Sequence, residues 1–195
     1  MPHAQPSSCG PAAELFNWEV LGRVLADRPD ALVVTGGKLL AHAPPRTLDE
    51  MHAYLSAGLG LCIRHGERHD DGLANVAQAF SVFGRAHVQL FVTAGRTHGF
   101  GWHYDDEEVF IAQTAGHKHY YFRSNTVAAD EPARGAIFAR YPQERSPMAA
   151  ATLIAGDFLY LPSRWWHMAV CEETALSISV GVAPTSAPLE PRPSA

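Results

Sequence analysis

The hydrophobic pattern of the chain changes character near residue 86. Before that point, apolar residues recur every three or four positions, which is typical of helices that bury one face. Pro29 removes a backbone donor and disfavours helix before it, so the first such segment ends there. The pattern predicts helices over residues 12–27, 47–57 and 70–83, with short apolar strands at 31–35 and 61–64.

Local signals set the ends of these helices. Thr47 followed three residues later by Glu50 fits a capping box. Asp70 or Asp71 caps the third helix, and Gly84 closes it.

After residue 86, short β-rich runs alternate with Gly and Pro, and no helical pattern lies between them. Such spacing predicts an antiparallel sandwich or barrel. Residues 124–147 combine Pro, Gly and charge with little periodicity, which predicts a long loop across the mouth of the barrel. The predicted strands cover residues 86–93, 102–114, 117–123, 150–154, 157–161, 167–170 and 175–182.

Both ends of the chain are rich in Pro and Ser. Residues 1–11 are therefore predicted to be flexible and residues 183–195 to be disordered. Between them we expect a single, mainly β domain over residues 12–182, with a helical part at 12–85 and the barrel at 86–182.

Three predicted strands carry polar residues on one face. Gln89 and Ser177 alternate with apolar neighbours, and Lys118 shares alternate positions with Tyr120 and Phe122. We expect these residues to lie on one face, which carries polar, small and aromatic side chains. That face is typical of the lined interior of a small barrel. A lysine inside a barrel is costly unless it meets an anion, so Lys118 suggests a ligand carboxylate.

The overall charge narrows the choice of partners. The chain has 195 residues, 47% of them hydrophobic, and a formal net charge of -5. No Lys/Arg cluster is present, so nucleic acid is not an expected partner. No apolar run reaches the length of a membrane span, and the N-terminus lacks a secretion-signal pattern.

The three cysteines lie far apart, at positions 9, 62 and 171, without a C-x-x-C pair. This arrangement is typical of ordinary buried thiols in a reducing compartment. A cytoplasmic protein is the resulting expectation.

One stretch combines the side chains that hold a metal ion. His103 and Asp105 are predicted to lie at alternate positions of an extended segment that follows a Gly-rich turn. His167 is the best candidate for a third ligand, because Gly156-Asp157 and Pro162 predict turns that present it at the start of a strand. Two histidines and one carboxylate with open positions form the facial triad of non-haem iron(II) oxygenases.

Each part of this pattern has a simpler explanation as well. His103 and Asp105 are also compatible with two residues that simply pair with each other on a surface strand. His167 is also compatible with a hydrogen-bonded histidine in an aromatic cluster. Two other segments, His65-Gly66-Glu67 and His69-Asp70-Asp71, also have a ligand-like spacing, but they precede a helix whose N-cap explains the aspartate better.

Two longer stretches together resemble a known family. HYDDEEVFIAQTAGHKHYYF, followed by AGDFLYLPSRWWH, is similar to the JmjC-type, cupin-like oxygenases that depend on 2-oxoglutarate and iron(II). The resemblance covers residues 86–182 and is closest to the branch that includes ribosomal-protein hydroxylases. It implies a double-stranded β-helix, that is, a jelly-roll or cupin barrel, with helices at its N-terminal side.

The resemblance also implies roles for six residues. His103, Asp105 and His167 match the iron ligands, and Lys118 matches the basic residue that pairs with the distal carboxylate of 2-oxoglutarate. Gln89 matches a position that often carries Asn facing the metal pocket. Ser177 lies on the final strand, where a small polar residue commonly lines the cosubstrate site.

The chain departs from that branch in two ways. Trp102 stands where Pro often precedes the first ligand. The dimerisation region and winged-helix domain that follow the barrel in ribosomal hydroxylases are not represented after Val182, so the resemblance does not identify a substrate.

We therefore expect hydroxylation of a C–H bond with iron(II), 2-oxoglutarate and O2. The expected substrate is an amino-acid side chain of a peptide or protein, or a small molecule. The acidic run at residues 105–108 would receive a cationic substrate or would form a solvated strand edge. Two alternatives stay open: a cosubstrate-free cupin enzyme and a non-catalytic metal-binding module. Barrels of this kind often pair, so a homodimer is also among the expectations.

Overall fold

The computed structural model describes residues 1–6, 12–126 and 144–183. It contains eleven strands in the described part of the chain: β1 (His3–Gln5), β2 (Ala31–Thr35), β3 (Lys38–Leu40), β4 (Gly60–Ile63), β5 (Arg85–Thr93), β6 (Glu108–Ala115), β7 (Lys118–Arg123), β8 (Met148–Leu153), β9 (Phe158–Leu161), β10 (Trp166–Val170) and β11 (Ala175–Ala183). The helices are α1 (Ala12–Leu15), α2 (Trp18–Ala26), α3 (Leu48–Ser56) and α4 (Asp71–Phe80), with a 3₁₀ turn at Gly66–Arg68.

The strands form two antiparallel sheets. The larger has the order β1-β9-β6-β11-β5-β4-β2-β3, and the smaller has the order β10-β7-β8. This arrangement confirms the predicted jelly-roll architecture with helices on its N-terminal side. The strands β2 and β4, which lie within the helical part of the sequence, extend the larger sheet, because β4 pairs with β5.

Two apolar cores hold the layers together. One packs α2, α3 and α4 against the larger sheet, and the second fills part of the space between the sheets. All nine residues of β11 are buried, because the strand is central in its sheet and has a layer on each side. The interior face of this strand carries Ser177 and Ser179, and both line a cavity.

The prediction of one helix over residues 12–27 is wrong in one respect, because the structure has two helices there, α1 and α2. Asn17 interrupts the segment: its side-chain oxygen accepts hydrogen bonds from the backbone N–H groups of Glu19 and Val20, both at 3.0 Å. This N-cap starts α2 afresh. The apolar spacing spans both helices, which explains why the hydrophobic pattern alone does not show the break.

The caps of the later helices follow the predicted residues. Thr47 Oγ1 accepts a hydrogen bond from Glu50 N at 3.2 Å, as in a capping box. The Glu50 carboxylate, however, accepts from Arg46 N at 2.6 Å, one residue before the expected donor, Thr47 N. Asp70 caps α4 by accepting from Gly72 N and Leu73 N. This helix ends at Phe80, three residues earlier than expected.

Two further differences concern strands. His3–Gln5 form β1 and pair with β9, where the sequence predicted a flexible segment. The strand predicted from residue 102 begins only at Glu108, so residues 102–107 approach the barrel as irregular chain. Residues 7–11, most of the predicted mouth loop (127–143) and the predicted tail from 184 onward lie outside the described residues.

Candidate metal centre

The segment before β6 is tied to the start of β10 by backbone hydrogen bonds. His103 N donates to His167 O at 3.1 Å, and His167 N donates to His103 O at 2.8 Å. Asp105 O accepts from Arg164 N at 2.7 Å. This short antiparallel bridge places the three residues His103, Asp105 and His167 together, although more than sixty positions separate the two histidines in the sequence.

Both imidazoles are oriented by their own neighbouring backbone. His103 Nδ1 lies 2.8 Å from Gly101 O, and His167 Nδ1 lies 3.0 Å from Trp165 O. A carbonyl oxygen only accepts, so each Nδ1 carries the proton and each Nε2 keeps its lone pair. Metal-bound histidines are commonly held in this way.

The three ligand atoms converge. Asp105 Oδ2 lies 3.6 Å from His167 Nε2 and 4.0 Å from His103 Nε2, and all three ligand atoms lie within 4.8 Å of one another. Burial lowers the pKa of His167 to about 4, the nearby His103 adds to this effect, and Asp105 opposes it. A neutral imidazole is the form that binds a metal. The residues present therefore fit an ion held by two nitrogens and one oxygen.

The cluster opens into a cavity of about 240 Å³ between the sheets. The cavity is lined by all six residues that the sequence analysis singled out. Three of them are the clustered His103, Asp105 and His167, and the others are Gln89, Lys118 and Ser177.

Lys118 is the notable charge in this cavity. Its side chain is only 3% exposed, and burial lowers its pKa. Nζ donates to Ser177 Oγ at 2.8 Å and lies 5.6 Å from the centre of the Phe91 ring. Among the described residues, no carboxylate forms a salt bridge with it. A buried ammonium without a counterion is costly, so the cavity is suited to an anion.

Tyr120 and Arg64 are among the residues that line the cavity beside these six. Tyr120 lies two positions after Lys118 on β7 and shares the inward face of that strand. Arg64 reaches the cavity while its Nη2 pairs with Asp30 at 2.6 Å. The alternation along β7 predicts the inward position of Tyr120, whereas sequence reasoning missed Arg64, because its position after the end of β4 gives no such signal.

Gln89 faces the cavity but is held by its neighbours. Its Nε2 lies 3.2 Å from His87 Nε2, and its Oε1 lies 3.9 Å from Cys62 Sγ. Burial raises the pKa of the Cys62 thiol to about 12. This thiol is therefore a protonated lining group, as expected for an ordinary buried cysteine.

The acidic run after the first ligands is already engaged within the fold. Asp106 pairs with Arg164 at 2.9 Å, and Glu108 accepts from the Tyr160 hydroxyl at 2.5 Å. Glu107 lies 3.5 Å from His87 Nε2. Asp106 is nevertheless 56% exposed, whereas Glu107 and Glu108 are partly buried.

The carboxylate of Glu144 links the described residues on either side of the segment that was predicted to cover the mouth of the barrel. Glu144 accepts from the backbone N–H groups of Thr126, Arg145 and Ser146, each at 2.8 Å. It also accepts from Trp166 Nε1 at 3.2 Å. Because Trp166 directly precedes His167, this carboxylate also supports the strand that carries the third clustered residue.

The described part of the chain contains no helix long and apolar enough to cross a membrane.

Comparison with known proteins gives a consistent picture. The chain is 30% identical over 131 residues to the bifunctional lysine-specific demethylase and histidyl-hydroxylase NO66 of Drosophila sechellia, covering 65% of this chain and 20% of that protein. It is 32% identical over 98 residues to ribosomal oxygenase 1 of Gallus gallus, covering 50% and 16%. The chain thus spans about a fifth or less of these relatives.

Among solved structures, the ribosomal oxygenase YcfD of Escherichia coli in complex with cobalt and 2-oxoglutarate has a TM-score of 0.70 at 18% identity. The match covers 97% of this chain and 49% of YcfD, and it shows a shared fold. The sequence model of the JmjC domain matches residues 64–188. Since this match covers more than half of the chain, the chain belongs to the JmjC domain family.

Proposed function

We propose that this domain is a 2-oxoglutarate- and iron(II)-dependent oxygenase that hydroxylates a C–H bond. The observation that carries the proposal is the buried ammonium of Lys118 in the same cavity as the His103, Asp105 and His167 cluster. A metal cluster with open positions fits many reactions. A second, cationic anchor inside the same cavity favours a dicarboxylate that reaches from the metal to the lysine.

The residues of the metal centre and of the cavity have separate roles in this reaction. His103, Asp105 and His167 would hold iron(II) through two imidazole nitrogens and one carboxylate oxygen. The bound iron supplies the activation of dioxygen that couples decarboxylation of 2-oxoglutarate to oxidation of the substrate. The overall reaction converts 2-oxoglutarate, O2 and R–H into succinate, CO2 and R–OH.

Lys118 orients the cosubstrate by a charge-assisted hydrogen bond to its distal carboxylate. Ser177 Oγ accepts a hydrogen bond from Lys118 Nζ and thereby keeps the ammonium directed into the cavity. The apolar and aromatic lining, including Phe91 and Tyr120, limits access of water to the reacting centre.

The proposed substrate is an amino-acid side chain in a peptide or protein. The relatives support this class, since they are named as a histidyl-hydroxylase and lysine-specific demethylase and as a ribosomal oxygenase. Turnover with free small metabolites and none with peptides would exclude it.

Anaerobic titration of the iron(II)-loaded protein with 2-oxoglutarate tests the proposal. We expect the visible charge-transfer band of the bidentate complex, and we expect Lys118→Met to need far more 2-oxoglutarate to reach it. A normal band in the variant would exclude the lysine's role. Absence of the band in the metal-loaded wild type would favour a cosubstrate-free cupin enzyme or a binding module.

A further inference from the structure

A second group of metal-ligating side chains lies on the opposite face of β7. His117 and His119 flank Lys118, and because strand side chains alternate, they point outward where the lysine points into the cavity. Glu172, in the connection between β10 and β11, completes the group. The three ligand atoms lie within 4.8 Å of one another.

The imidazoles of this outer cluster are held as metal ligands usually are. His117 Nδ1 lies 2.8 Å from Glu173 Oε1, so Nδ1–H donates a hydrogen bond to the carboxylate and Nε2 keeps its lone pair. His119 Nδ1 lies 2.8 Å from Thr152 Oγ1, which accepts a hydrogen bond from Nδ1–H in the tautomer that leaves Nε2 free. Nε2 of His119 is 3.7 Å from Glu172 Oε1.

The supporting backbone is well ordered by pairing on both sides. β7 is the central strand of the smaller sheet, and His119 is opposite Thr152 of β8 and Val170 of β10. His119 is therefore fixed to a paired strand, and His117 directly precedes that strand. Both imidazoles are only 30% exposed. Ordinary surface ion pairs require neither this convergence nor the partners on Nδ1.

We propose that His117, His119 and Glu172 form a second metal site, which binds a divalent late transition metal such as zinc(II). Two imidazoles and one carboxylate suit zinc(II), nickel(II) or copper(II), and water completes the coordination at this exposed position. The ion would join β7 to the connection between β10 and β11. Its role is structural, since the cluster faces away from the cavity.

Zinc(II) titration by calorimetry, on metal-free protein without an affinity tag, tests this site separately from the oxygenase proposal. The starting protein is the His103→Ala/His167→Ala double variant, in which the inner cluster is removed. We expect it to bind one equivalent of zinc(II) and to unfold at a higher temperature when zinc(II) is present. Adding His119→Ala should abolish both effects, whereas His42→Ala, at an exposed histidine elsewhere, should change neither.

Two further variants distinguish loss of the metal site from misfolding of the protein. His119→Gln preserves side-chain size and should also lose zinc(II), with an unchanged melting temperature in the absence of metal. Glu173→Gln should weaken binding roughly tenfold, the lower end of the effect expected when a ligand loses its hydrogen-bond partner. No zinc(II) uptake by the double variant, or uptake that persists in both His119 variants, would refute the site.

Discussion

The inner cluster (His103, Asp105 and His167) and the outer cluster (His117, His119 and Glu172) contain the same types of ligand in different surroundings. The inner one faces a cavity of about 240 Å³ that also contains a buried ammonium, whereas Glu172 of the outer one is 77% exposed. The inner cluster can therefore bring an anion and a metal together in one cavity. The comparison shows that two histidines and a carboxylate indicate a metal, whereas the groups around them indicate the chemistry.

The strongest test of this contrast removes one histidine from each cluster. His167→Ala should reduce succinate formation by more than the roughly 100-fold typical for loss of a ligand's hydrogen-bond partner, because a ligand itself is lost. His119→Ala should leave the rate within about twofold, because its side chain faces away from the cavity. Succinate measured by NMR with saturating iron(II) distinguishes the two. Equal losses would mean that the outer cluster takes part in turnover.

The next test removes the charge that distinguishes the inner cavity. Lys118→Met should weaken 2-oxoglutarate binding roughly 10- to 100-fold, the effect of losing a hydrogen bond to a charged group. The same change should raise the melting temperature of the ligand-free protein, because a buried unpaired charge is replaced by an apolar side chain. Lys118→Arg is the control that retains the charge. Unchanged affinity in Lys118→Met would place the carboxylate elsewhere.

A third test concerns Glu144, whose carboxylate supports the strand that carries His167 through its hydrogen bond from Trp166 Nε1. Burial raises the pKa of Glu144, but hydrogen bonds from Ser146, Thr126 and Arg145 outweigh this and lower it to about 2. The lowered pKa adds stability that is present above the unfolded-state value near 4.5 and is lost as the pH falls towards 2.

Glu144→Gln should therefore lower the free energy of unfolding by roughly 2–3 kcal/mol at pH 7. Urea denaturation of both proteins between pH 7 and pH 2.5 measures the difference, which should shrink as the pH falls. Asp49→Asn, at an exposed position in the first turn of α3, serves as the control. A difference that stays constant with pH would contradict the lowered pKa.

The smallest expected effect is that of the hydroxyl next to the ammonium. Ser177→Ala removes one hydrogen-bond partner of Lys118 and should cost about 1 kcal/mol, or roughly fivefold in 2-oxoglutarate affinity. Ser179→Ala, on the same strand face, should have a smaller effect. If the two serines behave alike, Ser177 has no special role in orienting the lysine.

Much of the fold could be predicted because its signals are local. Alternation identified the inward face of β7 that carries Lys118, and the residue types at Thr47 and Asp70 identified two helix caps. The interruption at Asn17 was missed because the apolar spacing continues through it. The strand β1 was missed because its three residues are exposed and gain their order from pairing with β9.

The sequence predicted which residues meet at the candidate cavity, but it did not predict how the chain holds them there. His103 and Asp105 were expected to share a strand face, whereas they lie in irregular chain held by bonds to Arg164 and His167. Such long-range backbone pairing has no signature in local sequence. The same reason explains why Glu144 was missed: its partners, except its immediate neighbours, are distant in the sequence.

Glu144 also has a consequence for how this domain could diversify. Its carboxylate accepts hydrogen bonds from Thr126, where the chain leaves the smaller sheet, and from Ser146, where the chain returns, so Glu144 itself holds these two points together. Doubling the length of a flexible loop adds in general only about 0.6 kcal/mol of closure cost. Connections of different length between these two points would therefore cost the barrel little stability.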